Sequence, residues 1–316
     1  MEEKNLSSKK MSFVVPVYYE EECILQFIKE IEDEMRQIKM DFEFVFVDDG
    51  STDKTVQLIK QEASAKEHIK LIEFSYNHGK QAAVSAGIKY ASGDYLMYMD
   101  PDLQDPPKEI INFLTEIEKG YDLVFGVREE KKDSFTNVIL SKIFWSTLER
   151  FTGLKIPKGL AVMRLFNRKF ADRFLVYGEQ NRFIEGVFMH IGLNRSVIKI
   201  SQRARFAGKS KFNFKRKMAL AFDAIFDFSE KPLKAAVKIG VLLSVFGFIL
   251  LIALTFIKLF VMDFKIGWLS TIGTIILCSG IQLFFMGIMA IYIGRIYKET
   301  KGRPLYSIKE LTNINE

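Results

Sequence analysis

Short apolar runs that stop at turn formers alternate with stretches of helical periodicity through the first part of the chain, and two long charge-free stretches lie near its end. Ser12 to Val17, Phe42 to Val47, Ile69 to Phe74, Tyr95 to Met99 and Leu123 to Gly126 are rich in aromatic and branched residues, which predicts buried strands. Between them, Glu20 to Ile38 sets Ile24, Ile28, Ile31, Met35 and Ile38 on one helical face. Further helices are predicted from near Thr52, with Ser51 or Thr52 as cap, from Gly79 to Ala91 and from Pro107 to Lys119. The crossovers are long enough for parallel pairing, so the pattern predicts an α/β domain with a mostly parallel sheet covered on both faces.

Past Arg128 the pattern changes. Ser134 to Phe151 reads as helical, Gly153 to Lys158 as a loop and Ala161 to Phe166 as a strand. Phe212 to Ser229 alternates basic and apolar residues at helical spacing, as in a helix lying on a membrane surface. Ile239 to Ile257 and Ile266 to Gly294 carry no charge. At about 1.5 Å per residue, each reaches across a hydrocarbon core of about 30 Å. The expected organisation is an α/β domain over residues 1–211, an amphipathic juxtamembrane helix over 212–232, two transmembrane helices over 233–297 and a tail over 298–316 that reads as disordered from about Ser307.

Charge gives this hairpin a direction. Lys231, Lys234 and Lys238 precede the first span and Arg295, Lys298, Lys301 and Arg303 follow the second, which puts both ends and the α/β domain on the cytoplasmic side of the inner (plasma) membrane. Met1 to Lys10 lacks the apolar core of a secretory signal. Between Gly186 and Phe222 there are nine Lys or Arg and no acid, where attraction to anionic headgroups would act. Cys23 and Cys278 are too far apart in kind and place to suggest a disulfide framework or a zinc site.

Two acidic clusters, Asp48-Asp49-Gly50-Ser51 and Asp100-Pro101-Asp102-Leu103-Gln104-Asp105, each follow a predicted strand. Ligands of such sheets bind outside the carboxyl ends of the strands, and carboxylates gathered there suit a hard cation, Mg2+ or Mn2+, that bridges nucleotide phosphates. Asp-Pro-Asp alone also suits a turn that caps the next helix. Pro16, Tyr18 and Glu20 end the first strand and Asp48 and Asp49 the second, a combination that can flank a nucleobase and ribose. Lys80, Arg128, Arg205, Ser210 and Lys211 are candidates for phosphate contacts. His78, alone in a loop before a helix, reads as incidental.

Val14 to Glu21, Val47 to Asp53, Asn77-His78-Gly79-Lys80, Met99 to Pro107, Gly126-Val127-Arg128, Asn181-Arg182-Phe183 and Arg205 to Phe212 follow one another in an order that resembles polyprenyl-phosphate glycosyltransferases. These are the bactoprenol glucosyltransferase and dolichyl-phosphate mannose synthase group of glycosyltransferase family 2. The resemblance spans nearly the whole chain and implies a GT-A type domain that transfers one sugar from a nucleotide-sugar, a UDP-sugar such as UDP-glucose, to undecaprenyl phosphate with inversion. It implies that Asp100, Asp102 and Gln104 serve the metal and donor diphosphate, that Asp100, Asp102 and Arg128 are catalytic, and that Pro16, Tyr18, Glu20, Asp48, Asp49 and Lys80 form the nucleotide pocket. By the same resemblance Gln104, Arg128, Arg205, Ser210 and Lys211 hold donor and acceptor phosphates, the chain assembles as a homo-oligomer such as a tetramer, and nucleic acid is not a partner. Many members carry Asp-Phe-Arg-Leu, whose Asp is the proposed base; here Val162-Met163-Arg164-Leu165 stands in its place. Either Glu179 or Glu185 takes that role, or no base is needed, because a phosphate monoester with a second pKa of about 6 is largely a dianion at neutral pH. A processive polysaccharide synthase needs a channel that one hairpin does not enclose, and the intact acidic residues argue against a catalytically inactive membrane scaffold.

Overall fold

The computed structural model describes residues 8–128, 149–150, 153, 157, 159–180, 182–203, 226, 229–260 and 267–314. Most of the predicted helix Ser134 to Phe151, most of the loop after it, the greater part of the amphipathic helix, and Asn181, Arg205, Ser210 and Lys211 lie outside the described residues. The chain divides into two units, residues 1–221 with 303–316, and residues 222–302.

The first unit is built on an eight-stranded sheet. In chain order its elements are β1 (Lys10–Val17), α1 (Ile24–Ile38), β2 (Asp41–Asp48), α2 (Thr55–Ala65), β3 (Ile69–Phe74), α3 (Lys80–Tyr90), β4 (Tyr95–Tyr98), a 3-10 turn (Pro107–Glu109), α4 (Ile110–Ile117), β5 (Leu123–Arg128), β6 (Leu160–Asn167), α5 (Arg168–Val176), α6 (Ile184–His190), β7 (Arg195–Ile200) and β8 (Ile308–Thr312). The strands lie in the order β7-β5-β6-β4-β1-β2-β3-β8. β4, β1, β2 and β3 are parallel, as are β5 and β7, while β6 and β8 run against their neighbours. This is the mostly parallel α/β arrangement that the alternating pattern predicts.

Phe13, Phe44 and Phe46 of the central strands bury their rings under Phe27, Ile28 and Ile31 of α1, and Phe44 stacks on Phe46 at 5.3 Å. The opposite face is closed largely by α3, whose residues from Ala82 to Ile88 are all buried. Gly87 lies there so close to the sheet that an added Cβ would stand 2.5 Å from Val14 Cγ1, which is why a residue without a side chain occupies this crossing.

Local chemistry moves several boundaries. α1 begins at Ile24, after a turn at residues 21–23. α2 begins at Thr55, and neither Ser51 nor Thr52 caps it: Ser51 Oγ accepts from Tyr19 N, and Asp53 Oδ1 accepts from Thr55 N. The helix expected from Pro107 to Lys119 is a 3-10 turn followed by eight residues of α-helix. β7 is a strand that the hydrophobic pattern did not yield. The largest correction is at the end of the chain, where the residues expected to be a disordered tail form β8, antiparallel to β3 with Leu71 opposite Thr312 and Ile72 opposite Leu311. Asn313 Nδ2 fixes its far end by donating to the carbonyls of Ala63 and Ile69.

The second unit contains α7 (Lys231–Phe260) and α8 (Trp268–Thr300). Both are long and apolar enough to cross a membrane, with mean hydropathy of 2.7 over an 18-residue stretch of the first and 2.1 over an 18-residue stretch of the second. Neither hides its apolar side chains within the chain: Phe246, Leu251, Leu277 and Phe284 are all exposed, as suits a lipid solvent. Tyr292 OH donates to the carbonyl of Ser229, tying α8 to the residues just before α7.

A buried acid joins β1, β2 and β3 near their amino ends. Glu43 of β2 is wholly buried and accepts from Ser12 Oγ, Ser92 N and Ser92 Oγ, and its carboxylate lies 2.8 Å from Lys10 Nζ and 2.9 Å from Lys70 Nζ. Burial opposes its charge, but the donors from Lys10, Ser92, Ser12 and Lys70 outweigh it and bring its pKa down from 4.5 to about 2. Glu43→Gln should cost about 2–3 kcal/mol, less than a fully sealed pair because both lysines are partly solvated. The group's folded value is lowered, so its stabilisation is complete above pH 4.5 and disappears as pH falls toward about 2. Melting curves of wild type and variant in detergent should therefore converge through that window.

Candidate functional site

Strand β1 is the point where the strand order reverses: β2 and β3 lie to one side of it, β4, β6 and β5 to the other. The carboxyl ends of parallel strands diverge there and leave a crevice. The turn after β1 carries Tyr18 and Glu20, the turn after β2 carries Asp49, and the turn after β4 carries Asp100 and Asp102. Tyr19 and Leu103 in these turns take left-handed backbone conformations, both at φ 56°, which residues with side chains seldom adopt.

On the β2 side, Asp48 and Asp49 are both buried. Asp48 Oδ2 accepts from the amides of Gly50 and Ser51, while its Oδ1 is buried with no hydrogen-bond partner. Asp49 accepts from His78 N at 2.6 Å and from Gly79 N through both oxygens. Burial raises both carboxyls above their ordinary value, and the amide donors only partly offset it. Glu20 is fixed beside them, its amide donating to Thr55 Oγ1 and its carboxylate accepting from Cys23 Sγ at 3.1 Å. Burial and the Glu20 charge hold the Cys23 thiol up, so it is inert.

On the β4 side, each charged group has a counterpart. Lys80, the first residue of α3, reaches Asp100 with 2.6 Å to Oδ1 and 2.7 Å to Oδ2. Burial works against the lysine's charge, but the Asp100 carboxylate more than offsets it and holds the ammonium above its ordinary value. Lys80 thus sits with the Asp100 turn. Arg128, at the end of β5, forks onto Asp105 Oδ1 through Nε at 2.9 Å and Nη2 at 2.8 Å. Asp105 Oδ2 accepts from Met163 N, so this buried carboxylate ties β5 to β6 beneath the site. Asp102 Oδ1 accepts from Gln104 N, and the Gln104 carbonyl accepts from Arg203 N.

Arg164 of β6 fills the floor. It is 2% exposed, ringed by Tyr98, Phe125 and Phe188 at 5.0, 5.7 and 5.3 Å, and its Nη1 has no partner. Nε donates to the Val162 carbonyl and Nη2 lies 3.4 Å from Glu185 of α6. Tyr98 is pushed up to about 12, by burial first, which with the Asp100 and Glu185 charges outweighs the lowering effect of Lys80 and Arg164. Of the two carboxylates considered as substitutes for a base at Val162, Glu185 is joined to this cluster through Arg164, and the Glu179 carbonyl accepts from Arg182 Nε.

A divalent cation can be weighed against these donors. Among the described residues no three His, Cys, Asp or Glu side chains converge to hold an ion by themselves. Asp100 and Asp102, half-buried on one turn with the Gln104 amide, offer hard oxygen ligands for an ion whose shell is completed by substrate phosphates, the usual arrangement for Mg2+. The residues fit on those terms.

Sequence reasoning missed two groups here. His78 is engaged at its amide by Asp49 and at Nε2 by Ser307 N. Asp105 was visible only as part of an acidic run, and nothing in the sequence marks it as the partner of Arg128.

A family model described as Glycosyl transferase family 2 matches residues 12–175. The uncharacterized glycosyltransferase YkcC of Bacillus subtilis (strain 168) is 36% identical over 304 residues, 96% of this chain and 94% of that protein. The undecaprenyl-phosphate 4-deoxy-4-formamido-L-arabinose transferase of Proteus mirabilis (strain HI4320) is 28% identical over 313 residues, 97% of this chain and 95% of that one. Among solved structures, a mycobacterial protein superposes with a TM-score of 0.50 at 17% identity over 71% of this chain and 75% of its own, a likeness of fold.

The two glycines of the β2 side should separate space from strain. Gly50 has φ +81°, and a Cβ there would stand 2.9 Å from the backbone of Tyr76 and Asn77. Gly79 has φ +92° with nothing within 4 Å. Gly79→Ala should cost about 1–2 kcal/mol from backbone conformation alone, and Gly50→Ala about 2 kcal/mol more because backbone must move. Thermal melts of the two variants would check this order.

Proposed function

Because the chain belongs to glycosyl transferase family 2, we propose that it transfers a single sugar from a nucleotide-sugar to polyprenyl phosphate at a membrane. The observation that carries this reading is the convergence of two acidic turns, Asp48-Asp49 and Asp100 to Asp102, on the crevice beside β1, in a chain with two exposed apolar helices. The name of the Proteus mirabilis relative supports undecaprenyl phosphate as the acceptor. A UDP-sugar is the expected donor, and the resemblance supports it.

Glu20, Asp48 and Asp49 would orient the nucleoside by accepting from base N–H and ribose hydroxyls. Asp100, Asp102 and Gln104 would hold Mg2+ or Mn2+, which when bound neutralises the diphosphate leaving group. Lys80 and Arg128, already fixed by Asp100 and Asp105, place positive charge at the same edge for donor and acceptor phosphates. Arg205, Ser210 and Lys211 belong to the acceptor side of this reading. An oxygen of the acceptor phosphate forms the bond to the anomeric carbon in line with the departing oxygen, and the electron pair leaves with the nucleoside diphosphate. The configuration at that carbon inverts. The acceptor is already a dianion near neutral pH, so Val162 in place of an acid leaves the reaction intact.

A hairpin with both ends on the cytoplasmic face follows from the same reading. The chain leaves the first unit near residue 221 and rejoins it at Arg303, and a chain that rejoins one folded unit crosses a bilayer an even number of times. The Lys and Arg that flank both apolar stretches support the cytoplasmic side.

The test is transfer from radiolabelled UDP- and GDP-sugars to undecaprenyl phosphate in detergent with Mg2+ or Mn2+. One lipid-linked monosaccharide is expected, and Asp102→Asn or chelator should lower the rate about 100-fold or more, since several kcal/mol of charge stabilisation is removed. A polymeric product would turn the reading to a processive synthase, and no transfer from any donor would turn it to a scaffold.

A further inference from the structure

The last residues of the chain meet the first unit where Asp49 is held. β3 ends at Phe74, and residues 75–79 lead from it to α3. A single residue, Ser307, spans that loop with its backbone: its carbonyl accepts from Ser75 N at 3.0 Å, and its amide donates to His78 Nε2 at 3.2 Å. A backbone amide only donates, so Nε2 accepts and the ring carries its proton on Nδ1. The imidazole is packed between Tyr76 at 4.0 Å and Phe74 at 5.4 Å, and Tyr306 stacks on Phe74 at 5.0 Å with the rings 10° apart. The other face of this relay is the donor pocket, where the amides of His78 and Gly79 hold both oxygens of Asp49. The same loop walls in the turn that follows Asp49, with Tyr76 and Asn77 backbone against Gly50.

We propose that residues 306–313 are a working part of the nucleotide-donor site: they set the position of the Asp49 carboxylate through His78. The inference rests on the glycosyltransferase reading above. Tyr306, His78 and Asn313 are positioning residues. Tyr306 fixes the ring stack under the loop, His78 links Ser307 to Asp49, and Asn313 pins the far end of β8 through the carbonyls of Ala63 and Ile69, away from the loop. The donor pocket is thereby completed by residues that follow both apolar helices in the chain.

The experiment measures nucleotide binding by calorimetry, UDP and GDP with Mn2+, on the full-length protein in detergent, together with steady-state transfer and melting temperature. Tyr306→Ala, Asn313→Ala and His78→Ala should each weaken binding of the preferred nucleotide about fivefold to tenfold, the factor of one lost hydrogen bond. The acceptor KM and the kcat at saturating donor should stay within about twofold. His78→Gln, whose amide oxygen can accept from Ser307 N, should restore most of the affinity. If Tyr306→Ala fails to fold, Asn313→Ala and the His78 pair carry the test. Unchanged nucleotide affinity in the folded variants, or a fall in kcat and melting temperature without a change in affinity, overturns the inference while leaving the glycosyltransferase reading in place. A wild-type protein that binds neither nucleotide overturns that reading and this inference together.

Discussion

Strand β1 is hydrogen-bonded to β2 along one edge and to β4 along the other, and this shared pairing fixes the relation between the two acidic turns. Val17 lies opposite Asp48, and Val14 opposite Tyr98, so the two turns leave the sheet at one end, on either side of the same strand. Everything placed at that end inherits its position from this register. A slip by one residue would turn Phe13, Phe44 and Phe46 out of the core, which is why aromatic packing and site geometry are held by one constraint.

Around this frame the charges are arranged as pairs. Lys80 lies on Asp100, Arg128 on Asp105 and Arg164 near Glu185, with Tyr98 buried among them. Pairing lets a partly dry site keep several full charges, since each carboxylate offsets the desolvation of its cation. It also fixes the cations in place: the Arg128 fork is locked by a carboxylate that bonds the next strand as well. In the proposed reaction, phosphates reaching such an edge would meet oriented charge that needs little rearrangement as charge builds on the leaving group.

The central strands were legible because their residues are aromatic or branched and end in turn formers, and the observed β1 to β5 differ from the reading by a few residues at most. Helix starts were less so. Ser51 looks like a cap, but Tyr19 N competes for its hydroxyl across the crevice, a contact between distant residues that sequence does not display. β8 was hidden by its polar composition, Ile308-Lys309-Glu310-Leu311-Thr312; its strand conformation comes from pairing with β3 and from Lys60, which bridges Glu310 and Glu73. The acidic clusters drew attention to Asp48, Asp49, Asp100 and Asp102, whereas His78 and Asp105 act through partners far away in sequence, Ser307 and Arg128.

The first unit is contiguous in space but divided in the chain, with the apolar helices between its two parts. During synthesis the outer edge of β3, Ile69-Lys70-Leu71-Ile72-Glu73-Phe74, stays open until residue 312 has been made, after both apolar stretches. An unpaired edge of this composition is a template for other strands, and natural proteins keep such edges covered. Pairing of β3 with β8 therefore comes later than synthesis of both long apolar helices. A chain ended at residue 221 has no strand to seal that edge and carries a ready surface for association with its own copies.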